Sequence, residues 1–303
     1  MSEDVKKLLS SAELANVTKK NNLKAGFIVF SDWTLIIGIF VAASKFPNPL
    51  TIFFAILLLG GRQMALGVLV HETGHQSFFT SQKVNNFVGT WLSGYWIFSD
   101  KTAYMRVHLL HHKNCGTKND PDLKNFDAYP VSGKSLTRKI FRDISGRIGW
   151  RRVLSIGKSI YRFNELKPSH KKMIINSIFC NVCLWGTLAL CGHGWLYLLW
   201  PAAFMTTHMF ISRIRQIAEH AAVPSHFDED TRRNTRTVYL NSLETILVAP
   251  HGLNFHLEHH LIPSVPIYRL QKLHRMLLKK GYYQDIIFIK GYRKLLRHVT
   301  HFS

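Results

Sequence analysis

Three observations predict an all-α integral membrane fold, with four transmembrane helices in two hairpins and a cytoplasmic helical cap. The apolar residues are bunched into four blocks of spanning length, the basic residues gather on one side of those blocks, and three histidine clusters fall on that same side. The hydrophobic fraction is an ordinary 47%, so it is the bunching that carries the fold class.

Residues 1–25 are polar and amphipathic, with Val5, Leu8, Leu9, Ala12 and Ala15 interleaved with charge. They lack the apolar core of a cleavable signal peptide, so the first span is expected to act as the targeting signal. Spans are expected at 26–43, where Asp32 is the one charge, and at 50–70, where Arg62 is. Each supplies close to the ~20 residues that a spanning helix needs. A second pair is expected at 173–192 and 194–212, free of Asp, Glu, Lys and Arg. Uninterrupted runs of this length argue against buried helices of a soluble protein. Charges inside spans are costly unless paired or facing a polar cavity. Antiparallel packing brings Asp32 and Arg62 to similar depth, so a structural ion pair is expected, with a role beside a substrate tunnel as the alternative.

Lys6, Lys7, Lys19, Lys20 and Lys24 precede the first span, and the turns within the hairpins hold only Lys45. Segments 71–172 and 213–303 carry nearly all the remaining Lys and Arg, which makes them and both termini cytoplasmic by the positive-inside rule. A net charge of +21 would otherwise point to nucleic acid, but no nucleic-acid motif is present. The charge is juxtamembrane and suits anionic lipid headgroups. An acidic electron-transfer protein or an anionic acyl carrier is a further partner for the basic face.

Between the spans, 86–98 is too short to cross and is expected to be a re-entrant or interfacial helix that seats Trp91, Tyr95 and Trp96 at the headgroup level. Residues 113–134 read as loop, 241–250 as another interfacial segment, and 266–280 as a surface-lying helix with Leu270, Leu273 and Leu277 on its apolar face. Cys180 and Cys183 form a C-x-x-C in mid-span, where packing is the expected role, and Cys115 and Cys191 indicate no disulfide. With no internal repeat or low-complexity tract, 1–303 is expected to be one domain.

The chemistry lies in the histidines. His71 with His75, His108 with His111 and His112, and His256 with His259 and His260 form three clusters. Residues three and four apart share a helix face, so each cluster can aim its imidazoles at one point. With 17 histidines, an H-x-x-x-H is expected about once by chance, whereas H-x-x-H-H arises about one time in twenty. Two copies therefore point to ligation. His170, His193, His226, His274, His298 and His301 are isolated, and are read as solvated or satisfied core groups. Eight clustered imidazoles exceed a single zinc site and suit two metals with open positions. Imidazole serves Zn, Cu, Fe and Ni alike, so the ligand type leaves the metal open.

The boxes HETGH (71–75), HLLHH (108–112) and HLEHH (256–260), with hairpin spans between them, resemble the integral-membrane fatty acid desaturases. Further matches are HHKNCGTKNDPDL from His111, RQIAEHA at 215–221 and HGLNFHLEHHLIPSVP from His251, so the resemblance runs from the first span to about His274. It implies a non-haem di-iron centre of two Fe2+ ions, using O2 as co-substrate and two electrons to dehydrogenate or hydroxylate an unactivated C–H bond. It also implies a ninth ligand, His220, with Gln216 one turn before it near the metals and Asn254 as a weaker outer partner. The carboxylates Glu72, Asp120, Asp122, Glu219 and Glu258 are candidates to orient ligand imidazoles through the second ring nitrogen. The third box begins with His256 rather than Gln, and no cytochrome b5 domain is fused, unlike the front-end desaturases.

The implied activity is desaturation of a lipid acyl chain, as acyl-lipid, acyl-CoA or acyl carrier. The implied electron donor is an external ferredoxin, rubredoxin or cytochrome b5, and the implied location is a bacterial inner membrane or the endoplasmic reticulum. A hydroxylase or ketolase with the same ligand set stays open. So does an intramembrane zinc protease through His71-Glu72-Thr73-Gly74-His75 with Glu72 as general base, although it leaves two clusters without a purpose. A metal carrier or sensor is a third class.

Overall fold

Side-chain caps open the helices at the head of the first two apolar blocks. In the computed structural model, which describes residues 3–301, Ser2 of the amphipathic N-terminal stretch lies outside the described range. Helix α1 (Glu3–Leu8) leads to α2 (Ser11–Thr18), where Ser10 and Glu13 form a reciprocal capping box. Asn21 caps α3 (Asn22–Lys45), and Asn48 caps α4 (Pro49–Gly74), which has proline in its first turn, where no amide partner is lost. Then come α5 (Gln82–Trp91), α6 (Lys101–Asn114), α7 (Gly133–Ile144), α8 (Arg147–Tyr161) and α9 (Pro168–Leu190). The remaining helices are α10 (Leu199–Met205), α11 (Thr207–His220), α12 (Thr231–Asn234), α13 (Ser242–Leu247), α14 (His256–Leu261), α15 (Ile267–Lys279) and α16 (Tyr292–His298).

Three helical stretches among the described residues are long and apolar enough to cross a membrane: Ser11–Lys45, Pro49–Gly74 and Pro168–Leu190. The block expected to supply a fourth is not one continuous helix. It runs through a 3-10 turn at Gly194–Leu198 and α10, breaks at Thr206 (φ −117°, ψ −85°), and resumes as α11. Hydroxyls explain the break: Thr206 donates to the Ala202 carbonyl at 2.6 Å, and Thr207 donates across to the Ile56 carbonyl of α4 at 2.7 Å. Such bonds compete with the helical ladder and bend it.

Gly60 permits this crossing, since a Cβ there would lie 2.1 Å from Thr207 Oγ1 and 2.8 Å from the His208 amide nitrogen. Gly60→Ala is therefore expected to destabilise the protein by about 1–3 kcal/mol. Gly38→Ala, where a Cβ meets nothing within 4 Å, should leave thermal unfolding in detergent unchanged or slightly raised.

Helix α4 is the axis of the molecule. Its Leu59, Leu66 and Leu69 are fully buried with Leu196, Ile211, Leu257 and Leu261, and α3, α5, α10 and α11 pack around it. Leu270, Leu273 and Leu277 of α15 join that same core. The 266–280 helix therefore turns its apolar face inward instead of lying on a surface as expected, because the neighbouring α14 offers it a protein partner. Likewise Tyr95 is buried, and Trp96 is half-buried against Trp33 at a ring distance of 4.6 Å. Much of that aromatic segment is packing rather than a headgroup seat.

The all-α expectation needs one amendment. Two short parallel pairs, β1 (Val131–Ser132) with β4 (Thr300–His301) and β2 (Val238–Tyr239) with β3 (Ile289–Lys290), tie the C-terminal tail to the body. Asp32 and Arg62 meet at 2.8 Å, and the other Asp32 oxygen lies 2.8 Å from His251 Nε2. Arg62 also donates to the Ile246 carbonyl. A charge cluster inside the first two long helices thereby grips the segment that precedes the third histidine cluster. All four cysteines are free thiols.

Candidate metal centre

Helical spacing splits the second and third histidine clusters between two points, while the first serves one of them. On α6, His108 and His112 are four apart and face one way, while His111 faces another; on α14, His256 and His260 pair in the same manner and His259 is the odd one out. His71 sits in the last turn of α4 and His75 caps its end, and His220 ends α11. The result is two groups. His71, His75, His108, His112 and His259 converge at one point, and His111, His220, His256 and His260 at another, with the ligand nitrogens of each group within 4.8 Å of one another. The groups adjoin, with His112 stacked on His260 at a ring distance of 4.3 Å.

The donor set fits metal ions. Five Nε2 to Nε2 contacts, His75–His108, His108–His112, His112–His259, His220–His256 and His256–His260, measure 2.9 to 3.1 Å. Two nitrogens at right angles about an ion ~2.1 Å away would be about 3.0 Å apart. His71 Nε2 is buried with no hydrogen-bond partner, a cost that a cation would remove. Burial, reinforced by neighbouring histidines, holds the pKa values of His108, His256, His259 and His260 well below the ordinary range. Neutral imidazoles are the ligating form.

Outer contacts select the tautomers. His71 Nδ1 lies 3.0 Å from Glu72 Oε1, His111 Nδ1 lies 2.8 Å from Asp120 Oδ1, and His220 Nδ1 donates to the Asn234 carbonyl at 3.1 Å. A proton held at Nδ1 leaves the Nε2 lone pair facing inward. Glu219 is 3.5 Å from His256 Nδ1 and is held by Arg215 at 2.7 Å. Asp122 is farther, at 3.9 Å from His111 Nδ1.

Glu258 does something else. It is fully buried and accepts from Thr237, from His274 Nδ1 at 2.6 Å and from Tyr283 at 2.6 Å, so it anchors α14 to α15 rather than touching a ligand ring. The Asn254 side chain donates to the Val238 carbonyl at 2.9 Å and steadies β2. Gln216 is exposed and lines, with His108, His111, His220 and His256, a cavity of about 280 Å³ that also meets Tyr104, Arg215 and Phe126.

Several contributors escaped sequence reasoning. Arg215 is one helical turn before Glu219, and that i,i+4 pairing was a usable signal. Asn234, which acts through its backbone, and His251 and Tyr283, whose partners are remote in the chain, carried none. His274, read as isolated, is a satisfied core histidine: its Nε2 lies 2.8 Å from the Tyr239 hydroxyl. Glu72 Oε2 accepts from the Ile267 amide at 3.0 Å and from the Ser77 hydroxyl at 3.2 Å. That carboxylate is fully engaged in orienting its surroundings, which disfavours the general-base role of a zinc protease.

Comparison with known proteins agrees with this geometry. A family model described as fatty acid desaturase matches residues 47–292. The chain is 24% identical over 261 residues to a dihydrorhizobitoxine desaturase of Bradyrhizobium elkanii, covering 78% of this chain and 72% of the relative. It is 25% identical over 303 residues to an sn-1 acyl-lipid omega-3 desaturase (ferredoxin) of Nostoc sp. (strain 36), covering 89% and 81%. It is also 23% identical over 225 residues to a beta-carotene ketolase of Paracoccus sp. (strain PC1), covering 72% and 78%.

Proposed function

Because the chain belongs to the fatty acid desaturase family, we propose that it is a membrane-bound, O2-dependent di-iron oxidoreductase that introduces a C=C bond into a lipid acyl chain. The observation that carries this reading is the division of nine imidazoles into adjoining groups of five and four. His71, His75, His108, His112 and His259 would hold one iron, and His111, His220, His256 and His260 the other. Two ferrous ions held there would supply the activation of O2 that breaking an unactivated C–H bond requires, with two electrons drawn from an external donor.

The chain's own residues do the rest. Glu72, Asp120 and the Asn234 carbonyl keep protons on the outer nitrogens of His71, His111 and His220. Arg215 holds Glu219 beside His256. Burial of six of the nine rings excludes bulk water, and the cavity at the second group leaves space for a co-substrate next to it. Glu258, with His274 and Tyr283, fixes the helix that carries the third box.

The chain is read as one domain over 1–303. In this reading α3, α4 and α9 span the bilayer, and the broken pair α10–α11 makes a fourth crossing. That topology puts both termini and all three boxes on the cytoplasmic side of a bacterial inner membrane or of the endoplasmic reticulum. An external ferredoxin or cytochrome b5 supplies electrons. The similarity to a ketolase favours a second reading, hydroxylation or ketone formation by the same ligand set. Expression in a host of defined lipids, with mass spectrometry of its acyl chains, separates the two: loss of two hydrogens signifies desaturation, and gain of oxygen the alternative. No new product, together with at most one metal per purified chain, would overturn the di-iron reading.

A further inference from the structure

Helices α7 and α8 form a hairpin that the metal centre does not use. Along α8, Trp150, Leu154 and Tyr161 fall on one face and are 56%, 47% and 91% exposed. Arg147, Arg151 and Lys158 flank that ridge on one side. On α7, Phe141 is 72% exposed, with Lys134 and Arg138 on the same side of the helix. Exposed apolar residues bordered by cations make a face that water alone does not satisfy.

Two contacts and one chain connection fix where this face points. Gly149 of α8 lies directly on the backbone at the end of α10, where an added Cβ would come within 2.2 Å of Met205 Cα. That close approach sets the roll of α8 and turns Trp150 outward. Arg213 of α11 pairs with Asp143 at the end of α7, so the hairpin is clamped to both halves of the broken helix. Finally, α9 begins at Pro168, shortly after Tyr161 ends α8. Helix α8 thus lies by its Gly149 face against an apolar helix, leaves the ridge outward, and runs almost directly into a spanning helix.

We infer that this face lies in the headgroup layer of an anionic bilayer, with Trp150, Leu154, Tyr161 and Phe141 entering the acyl boundary and Arg147, Arg151 and Lys158 contacting lipid phosphates. The inference rests on the reading of α9 and α10 as membrane-embedded. Basic residues flanking an inserted apolar ridge favour anionic over zwitterionic lipid, so the hairpin is a lipid-charge-dependent anchor beside the point where α11 leads to His220.

The test uses the full-length protein in nanodiscs of phosphatidylcholine with or without phosphatidylglycerol. The emission of Trp150 is taken as the difference between wild type and Trp150→Phe, and that of Trp185 on α9 as the difference from Trp185→Phe. Trp150 is expected to be quenched by lipids brominated near the headgroup end and shielded from aqueous acrylamide, more so with phosphatidylglycerol present. The triple variant Arg147→Glu, Arg151→Glu, Lys158→Glu should lose about half or more of that added shielding. The comparison between the two lipids depends only on the conservative Trp150→Phe change at an exposed position, and not on the triple variant.

If Trp185 is quenched by brominated lipid while Trp150 stays open to acrylamide in both lipids, the inference is overturned and the spanning reading survives. If Trp185 also escapes brominated lipid, the spanning reading fails and the inference with it. Equal shielding in both lipids refutes the dependence on anionic charge. Shielding of Trp150 only upon adding an acidic electron-carrier protein would make the face a protein dock, and would likewise overturn the inference.

Discussion

His259→Ala is expected to lower iron from about two to about one per chain and to abolish turnover, with His111→Ala doing the same through the other group. Each change removes one imidazole from a different set, and each opens a buried site whose remaining lone pairs face inward. An orienting residue should matter less. Asp120→Asn keeps the shape beside His111 and loses only the charge, so a fall of ~10–100-fold is expected. The measurements are metal analysis of the purified protein and product formation with a reconstituted electron donor. Retention of activity in both alanine variants would sink the ligand assignment, and loss of both ions from either variant would show that the groups are not separable.

The second large effect lies away from the histidines. Arg62→Leu should destabilise the protein by about 3–5 kcal/mol, because Asp32 would be left as a buried charge facing only His251. Asp32 is 0% exposed, so solvent does not compensate. The double variant Asp32→Leu, Arg62→Leu is expected to recover most of that loss, since replacing both charges by apolar groups removes the desolvation cost as well. Thermal unfolding in a fixed detergent measures both. Iron content adds a second readout: Arg62 and Asp32 grip Ile246 and His251, just before the third box, so the single variant should also bind iron less tightly. A double variant no more stable than the single one would contradict the account.

Much of this was legible in the sequence. The spans expected at 26–43, 50–70 and 173–192 fall within or closely match α3, α4 and α9, since bilayer length and apolar content constrain a segment locally. Convergence of the boxes was foreshadowed by helical spacing together with the expectation that they share one side of the membrane. What escaped depended on contacts remote in the chain. The break at Thr206 comes from a hydroxyl reaching Ile56 on another helix, and no pattern within 194–212 announces it. Glu258 has the composition of an orienting carboxylate, yet the rings around it belong to His274 and Tyr283. The inward face of α15 is a related case, because an amphipathic period does not say whether lipid or protein covers it.

The split of the second and third boxes between two points also has a consequence for biosynthesis. A nascent chain extended only to Asn114 already contains four of the five imidazoles of the first group but one of the four in the second. From that point on the first group lacks only His259. The second waits for α11 and α14, the latter within the last fifty residues or so of the chain. The order of synthesis therefore fills the two groups unequally, and the segment that completes the second group also delivers the last ligand of the first.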